Sequence, residues 1–508
     1  MNRAQSNTPR GAGGARGFIR IGFRAPSAPG STMRGFAGSA AFTVCLGLLG
    51  LGLGLGLVAC SVGPAYRRPA APLPAAWQAG TAVQQSQSDW PTADWWRGFG
   101  SNTLDDYVHQ ALAGSDDIAA AVARVHEAED QAQVAGAPLY PALSGQVGAE
   151  KTREFSPPDK TVTFGAFEPL LSASYELDFW GKNRSAHQAA LLTARASAYD
   201  RETVVLTVLG EVASDYFQAL EMRDRLAVAT NSLANAQAIL SGLQTEQQVG
   251  TGTALDVAQQ AAVVAVENAT IPPLRQQLQQ SMDALAILLG RAPETLQFQD
   301  AGLSSITAPP VLQGLPSQLL ARRPDIAQAE AQLHAANADI GVARAAFFPD
   351  ITLTATGGYA SSYLSRLINP STSIYSLSGS IVQAIFQGGA LRGQYHYSQA
   401  HYAELLADYH KSVLSALSDV ENALVAVQQT ADQQVRQQDA ADKAQRAYDF
   451  AQQQMRAGVT NILTVLNTET TLFTAQDQLV QVKFQHLQAL VNLYTALGGG
   501  WQQGQTSL

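Results

Sequence analysis

The sequence predicts an α+β membrane protein in which each chain gives four strands to a shared β-barrel, continued away from the bilayer by long α-helical hairpins. Three observations predict it. The chain repeats itself at a period of 208 residues, each copy holds stretches whose side chains alternate apolar and polar, and the helical stretches between breakers are unusually long.

The repeat comes first because it organises everything else. Shifted by 208 positions, Asp117-Ile118-Ala119 falls on Asp325-Ile326-Ala327 and Pro141 on Pro349. Gly181 meets Gly389, Arg184 meets Arg392, Gly250 meets Gly458, and Leu289-Gly290 meets Leu497-Gly498. No gap is needed between 104–290 and 312–498, and 291–311, with Pro293, Pro309 and Pro310, joins the copies. A period this long is too long for a solenoid. It describes one domain built twice.

Each copy has the same grammar. Residues 104–138 read as an Ala-rich helix with an apolar stripe, stopped by a proline. About 40 strand-like residues follow, up to Gly181; then come helical stretches of roughly 65 and 36 residues, ending at Gly250 and Gly290. At 1.5 Å per residue the longer stretch reaches about 100 Å. The helices at 104–138 and 254–290 are about half that length, so two of them end to end match one long antiparallel partner. Soluble coiled coils share this Ala- and Gln-rich composition.

The strands give the direction. Leu143, Gly145, Val147 and Ala149 alternate with Ser144, Gln146, Gly148 and Glu150; Leu171, Ala173, Tyr175, Leu177 and Phe179 alternate with Ser172, Ser174, Glu176 and Asp178. In the second copy Ile351, Leu353 and Ala355 oppose Thr352, Thr354 and Thr356, while Tyr375, Leu377 and Ile381 oppose Ser376, Ser378 and Ser380. A membrane barrel needs this pattern, odd positions toward lipid and even ones toward the lumen; a half-buried soluble sheet would show it too. Pro169 lacks an N–H for a ladder, so the second strand is expected to pair only beyond it. Four strands cannot close a barrel, and open edges are not tolerated in lipid. The chain must pool strands with copies of itself, as a dimer, trimer or tetramer.

The N-terminus fits export. Six arginines and no acidic residue precede Cys60, followed by an apolar run from about Ala37 to Ala59. That order reads as a secretory signal over 1–59, although the run is also long enough for a membrane anchor. A start at Met33 would give a compact and sufficient signal. Leu57-Val58-Ala59-Cys60 resembles a bacterial lipobox, whose cysteine is acylated and becomes the first mature residue; Ser61 resembles lipoproteins sorted to the outer membrane. With Cys45 inside the signal, Cys60 is the single cysteine left, so no internal disulfide framework is expected. Removing 1–59 takes six positive charges with it and moves the formal charge from −9 to −15. That disfavours nucleic acid as a partner.

Six ordered motifs then carry a resemblance across essentially the whole mature chain. They are CSVGPAYRRP (60–69), DWWRGFGSNTLDDYV (94–108), RRPDIAQAEAQL (322–333), ARAAFFPDITLTATGGY (343–359), IFQGGALRGQ (385–394) and ALGGGW (496–501). The sequence resembles the outer membrane efflux protein family, in its NodT-like lipoprotein branch related to TolC and OprM. The resemblance implies a homotrimer with a 12-stranded barrel, a helical tunnel crossing the periplasm, and a passive conduit for small molecules. Its implied partners are a periplasmic adaptor, an inner-membrane transporter of the resistance-nodulation-division type and outer membrane lipid at Cys60. The implied domains are a lipid-anchored segment 60–103, repeats at 104–290 and 312–498, a connector at 291–311 and a tail at 499–508. A conduit for secreted protein, or a non-transporting adhesive trimer, are the rival functions; the duplicated strand hairpins argue against a simple stalk.

No cofactor, metal site or catalytic constellation is expected. His396 and His401 are five apart and off one helix face, and Arg323-Pro324-Asp325 reads as a helix start rather than a catalytic pair. Trp90, Trp95 and Trp96 are expected to pack an N-terminal segment onto the helices. The candidate functional residues lie at two levels. Glu150, Glu176, Asp178, Thr352 and Thr354 are expected in the barrel lumen. At the helical turns, VGTGTALDV (249–257) aligns with AGVTNILTV (457–465). Family tunnels close here, often with an acidic residue six or nine positions after the second glycine. Thr464 and Asn467 are neutral at those positions, while the first turn keeps Asp256, six after Gly250. The expected latch joins Asp256 to Thr460 or Asn461 of a neighbouring hairpin across Gly250 and Gly458; the alternative is that Asp256 sits solvated at a helix start.

Overall fold

The computed structural model describes residues 62–71, 73–78, 90–156, 160–296, 302–311 and 314–503. The chain divides into two units, 1–58 and 59–508. The first unit and Cys60 lie outside the described residues, so the expected signal and lipobox do too.

The order of elements is α1 (Asn102–Gly114), α2 (Asp116–Gly136), β1 (Ala142–Ser156), β2 (Lys160–Glu176), α3 (Lys182–Gln248) and α4 (Ala254–Leu288), then α5 (Pro324–Ala345), β3 (Asp350–Tyr359), β4 (Ser373–Val382), α6 (Ala390–Arg456) and α7 (Ile462–Ala496). Four pairs of elements keep the 208 offset at both ends or at the start: α3 with α6, α4 with α7, α2 with α5, and β1 with β3. Helices α3 and α6 have 67 residues each, about 100 Å at 1.5 Å per residue. Along α3 lie α2 and α4; along α6 lie α5 and α7; α3 also packs against α5 and α7, which joins the two copies.

The half-length helices meet where glycine alone fits. Gly290, past the end of α4, has φ 65° and abuts the Gly114 carbonyl. Its repeat mate Gly498, with φ 87°, abuts the Arg322 carbonyl. A side chain at either place would meet backbone, and positive φ already disfavours one. The same crowding breaks the helix expected over 104–138. It stops at Gly114, and Ser115, at φ −67° and ψ 124°, is extended before Asp116 and Asp117 open α2. Serine and aspartate compete for backbone donors and so favour a new start over continuation. The second copy has only a 3₁₀ turn, Pro316–Ala321, in place of α1.

Around this level the core gathers. Trp95, Phe99, Leu104, Phe217, Leu285, Leu490 and Leu493 are buried together. Trp90, Trp95 and Trp96 are all buried, as expected. Trp90 Nε1 donates to the Leu497 carbonyl at 3.1 Å, and Trp95 stacks on Tyr494 with centroids 5.6 Å apart. Residues 90–99 are thus stapled to the end of α7.

The sheet runs β1-β2-β3-β4, all antiparallel, with β1 and β4 as open edges. Its registers pair odd with odd residues throughout: Leu143 with Ala173, Ala173 with Ala355, Ala355 with Leu377. One face therefore carries Leu143, Val147, Leu171, Leu353, Leu377 and Ile381, all exposed in the protomer. The other carries Ser144, Ser172, Ser174, Thr354, Thr356, Ser376 and Ser378, and Thr356 and Ser376 hydroxyls lie 3.0 Å apart. The alternation lapses at Val162 and Phe164, where β1–β2 projects ten residues past the β3 pairing.

Pro169 corrects an expectation. Strand β2 does not begin after it: Pro169 lies within the strand, paired with Val147. Phe167 exchanges both backbone bonds with Ser361 on the β3 side. Every second residue points its N–H the same way, so the donor Pro169 lacks would have faced β3, not β1. The β3 ladder accordingly starts at Leu170, with Phe167–Ser361 as an isolated bridge beyond the gap.

Candidate functional site

The two turns farthest along the long helices are built alike. Gly250 and Gly458 sit at φ 81° and 71°. Thr251 N donates to Glu246 O and Val459 N to Gln454 O, each at 2.9 Å, closing the helix ends by the same reverse bond. Thr253 and Asn461, offset by 208, then start the returning helices: Asp256 N donates to Thr253 Oγ1 at 3.1 Å, and Thr464 N to Asn461 Oδ1 at 3.2 Å.

The difference between the turns lies in Asp256. Its carboxylate accepts from Thr253 Oγ1 at 2.7 Å and Thr253 N at 3.4 Å, completing a capping box. At the matching position the Thr464 hydroxyl donates to Asn461 Oδ1 and accepts from Thr460 Oγ1 at 3.0 Å. Among the described residues of one protomer, Asp256 therefore binds its own helix start, and Thr460 and Asn461 bind Thr464. The expected bond from Asp256 to Thr460 or Asn461 does not form within the chain. Asn467 lines a shallow groove of mixed polarity with Gln437, Ala440, Thr470, Thr474 and Gln478.

At the sheet end, four of the five expected lumen residues share the even face. Glu150 accepts from Thr152 Oγ1 on that face, and Thr352 and Thr354 pair with Ser380 and Ser378. Glu176 ends β2 and binds Lys182 Nζ at 2.8 Å, which also reaches Asp350 at 3.0 Å. Asp178 is a correction. The strand has ended by Glu176, and the Asp178 carboxylate turns onto the first turn of α3, accepting from Asn183 N, Arg184 N and Arg184 Nε at 2.9–3.0 Å. Three donors near a helix N-terminus hold it there, 8% exposed.

Between these levels, charged side chains fasten the helices. Pro324 opens α5, as Arg323-Pro324-Asp325 suggests, and Arg323 does more than start a helix. Its guanidinium binds Asp325 through two bonds, of 2.6 and 3.0 Å, Asp419 of α6 at 3.1 Å and the Ala496 carbonyl of α7 at 3.2 Å. Lower down, Arg225 of α3 binds Asp477 of α7 at 2.7 Å. Buried Glu221, beside Arg225, is pushed up to about 7 by loss of water, against the pull of that arginine.

Sequence reasoning missed a polar group inside the lower helices. Glu267 of α4 and Glu469 of α7 are 5% and 3% exposed, and fully buried Gln260 lies with them. A carboxylate every few residues on an Ala/Gln-rich helix carries no signal of burial. Pro272-Pro273 would be expected to break α4, yet the helix runs through both. No helix among the described residues is long and apolar enough to cross a membrane, and no cluster of three metal-ligating side chains occurs there.

The comparisons with known proteins fit this geometry. The family model for outer membrane efflux protein matches residues 107–291 and 315–499, two segments themselves offset by 208. A Pseudomonas aeruginosa relative named pyoverdine export outer membrane protein OpmQ is 41% identical over 89% of this chain and 96% of its own length. The toluene efflux pump outer membrane protein TtgF of Pseudomonas putida is 33% identical over 89% and 96%. The cation efflux system protein CusC of Escherichia coli O157:H7 is 30% identical over 90% and 99%. Among solved structures, the outer-membrane channel OprN superposes with a TM-score of 0.81 at 28% identity, covering 87% of this chain and all of that one. The open state of the Neisseria gonorrhoeae MtrE channel gives 0.79 at 26%, covering 88% and 100%. Both repeats are matched, the sheet with two open edges is one third of a 12-stranded trimeric barrel, and the helical hairpins extend into the periplasm: the chain belongs to the outer membrane efflux protein family and is the outer membrane channel of a tripartite efflux system.

Proposed function

We propose that this channel is a passive duct, without catalytic steps, docked through its periplasmic turns to an adaptor and an inner-membrane transporter of the resistance-nodulation-division type. The observation that carries it is the pair of matched hairpin turns about 100 Å of helix away from an amphipathic sheet. Such a molecule has a membrane end, a distant end and little in between to grip cargo. Relatives sharing 30–41% identity are named for pyoverdine, toluene and cations. That spread on one fold supports a channel whose cargo is chosen upstream, by the transporter.

In this reading Glu150, Glu176, Thr352 and Thr354 line the exit, while the turns around Gly250, Asp256, Gly458, Thr460, Asn461, Thr464 and Asn467 form the aperture. Cys60 carries the lipid that ties residues 60–103 to the outer membrane, the repeats being 104–290 and 312–498. Each buried methylene of an acyl chain adds about 0.8 kcal/mol to membrane association. The test has two parts. Trimers in planar bilayers should conduct weakly at rest and strongly with adaptor bound; trimers that an adaptor neither binds nor opens would remove the duct reading. Mass spectrometry of the mature N-terminus should find acylated Cys60, and an unmodified cysteine would remove the anchor.

A further inference from the structure

Four buried oxygen atoms inside the lower helical hairpins lack a hydrogen bond of ordinary geometry: both carboxylate oxygens of Glu469, Oε2 of Glu267 and Oε1 of Gln260. They come from helices α7 and α4, and every one is an acceptor. The surroundings offer little to satisfy them. From α3, Ser232 Oγ donates to Glu267 Oε1 at 2.9 Å, and the Ala236 carbonyl takes the Gln260 amide at 2.9 Å. Among the described residues the Gln260 amide is also the one donor near the Glu469 carboxylate, and it pulls that group's titration down against the effect of burial. From α6, Tyr448 lies within reach of the charges of both glutamates and of Asp449, and its hydroxyl accepts from Gln452 at 2.6 Å. None of the ion pairs among the described residues involves Glu267 or Glu469. An apolar cluster that includes Leu243, Val257, Val263, Val465, Leu466 and Leu472 spans both hairpins along the same stretch.

Two buried carboxylates close enough to feel each other's charge, with no cation paired to either, resist being ionised together. A set of acceptors alone asks for a proton or a cation, and two carboxylates with one amide oxygen fall short of the six to eight ligands a hard metal ion takes. We propose that Glu267 and Glu469 form a proton-binding site that latches the α3–α4 hairpin to the α6–α7 hairpin just above the aperture, tightening it when the proton is bound. Glu469 lies seven residues past the start of α7, about 10 Å from the turn. Pro272 and Pro273, one turn beyond Glu267, lack the N–H groups that would hold the helix rigid there. The inference rests on the duct reading for its consequence and on the buried pair alone for its chemistry.

The direction follows from linkage. Loss of water, then the neighbouring Glu267, pushes Glu469 up to about 7 in the packed state. Separated hairpins return it to water, where an ordinary glutamate titrates near 4.3. Between those values the packed state holds the extra proton, so packing weakens as pH rises, by up to about tenfold per pH unit. Above about 7 both states are ionised and the effect levels off.

Hydrogen exchange on assembled trimers, corrected for intrinsic rates, tests this at 254–270 and 462–475. Protection in the native protein should fall from pH 5 to 7 and then flatten. Glu469→Gln, checked for trimer assembly, should show no slope and keep the protection seen at pH 5; Glu267→Gln, which leaves the burial of Glu469 in place, should shift the fall in protection to lower pH. A flat native profile, or an unchanged slope in both variants, overturns the proposal. Protection gained with calcium or manganese and lost with chelator at fixed pH would overturn it too, in favour of a cation. Resting conductance measured alongside separates the two readings: an exchange slope in trimers that never conduct supports the proton site and counts against the duct.

Discussion

Leu377→Arg examines the assignment of faces on which the barrel depends. Leu377 sits in the row Leu143–Ala173–Ala355–Leu377, midway along β3 and β4, on the odd face. In the protomer it is 82% exposed, with no core to lose. In a soluble sheet an arginine there would cost almost nothing. In a barrel the same face meets hydrocarbon, where an arginine at the midplane costs about 2–4 kcal/mol. A trimer carries three copies, so the sum is about 6–12 kcal/mol, comparable with the whole stability of a typical domain. Thr354→Arg is the matched control, on the opposite face and paired with Ser378. The assay is the yield of SDS-resistant trimers after refolding into lipid vesicles, with urea titration of whatever assembles. Leu377→Arg should lose most trimers and Thr354→Arg should keep them. Equal damage from both, or none from either, would refute the assignment of lipid and lumen faces. Leu353→Arg lies one row nearer the helices and should cost less than Leu377→Arg, because its side chain can reach the interface.

Gly290→Ala forces a side chain onto the Gly114 carbonyl at positive φ and should lower the thermal midpoint, with strain of about 1–3 kcal/mol at the backbone alone; Gly242→Ala, inside α3 with nothing within 4 Å, should instead stabilise by about 0.5–1 kcal/mol. Arg323→Ala leaves Asp325, Asp419 and the Ala496 carbonyl without their shared donor; because both carboxylates keep part of their water, it should cost about 1.5–3 kcal/mol by chemical denaturation. Asp256→Ala removes the carboxylate half of a capping box, worth about 0.3–1.5 kcal/mol, and should raise resting conductance. Asn467→Asp should increase preference for cations in reversal-potential measurements. An unchanged conductance in assembled Asp256→Ala trimers would leave that carboxylate a helix cap and nothing more.

The sequence by itself determined the features that follow from local pattern. The 208-residue offset is a property of the string, and it reappears to the residue in α3 with α6, α4 with α7, and the bonds closing both turns. Alternation in 143–149 and 351–355 fixed which residues share a face, because side chains on a strand can only point two ways. The helical turns were legible because glycine at positive φ and a Thr or Asn three residues on are what such turns require.

Tertiary structure decided whatever depends on where a chemically ordinary group ends up. Pro169 could be seen to lack a donor, but only the sheet shows that the missing bond faced β3. Asp178 continued the alternation in the sequence, and only the turn into α3 shows it spent on three helix donors. The break at Ser115 needs Gly290 arriving from 175 residues away. Glu267 and Glu469 read as two more charges on a polar helix, because burial is set by four helices meeting and not by neighbours in the chain. Local physics fixes the shape of each element. Which polar groups lose their water is fixed by contacts that no local pattern contains.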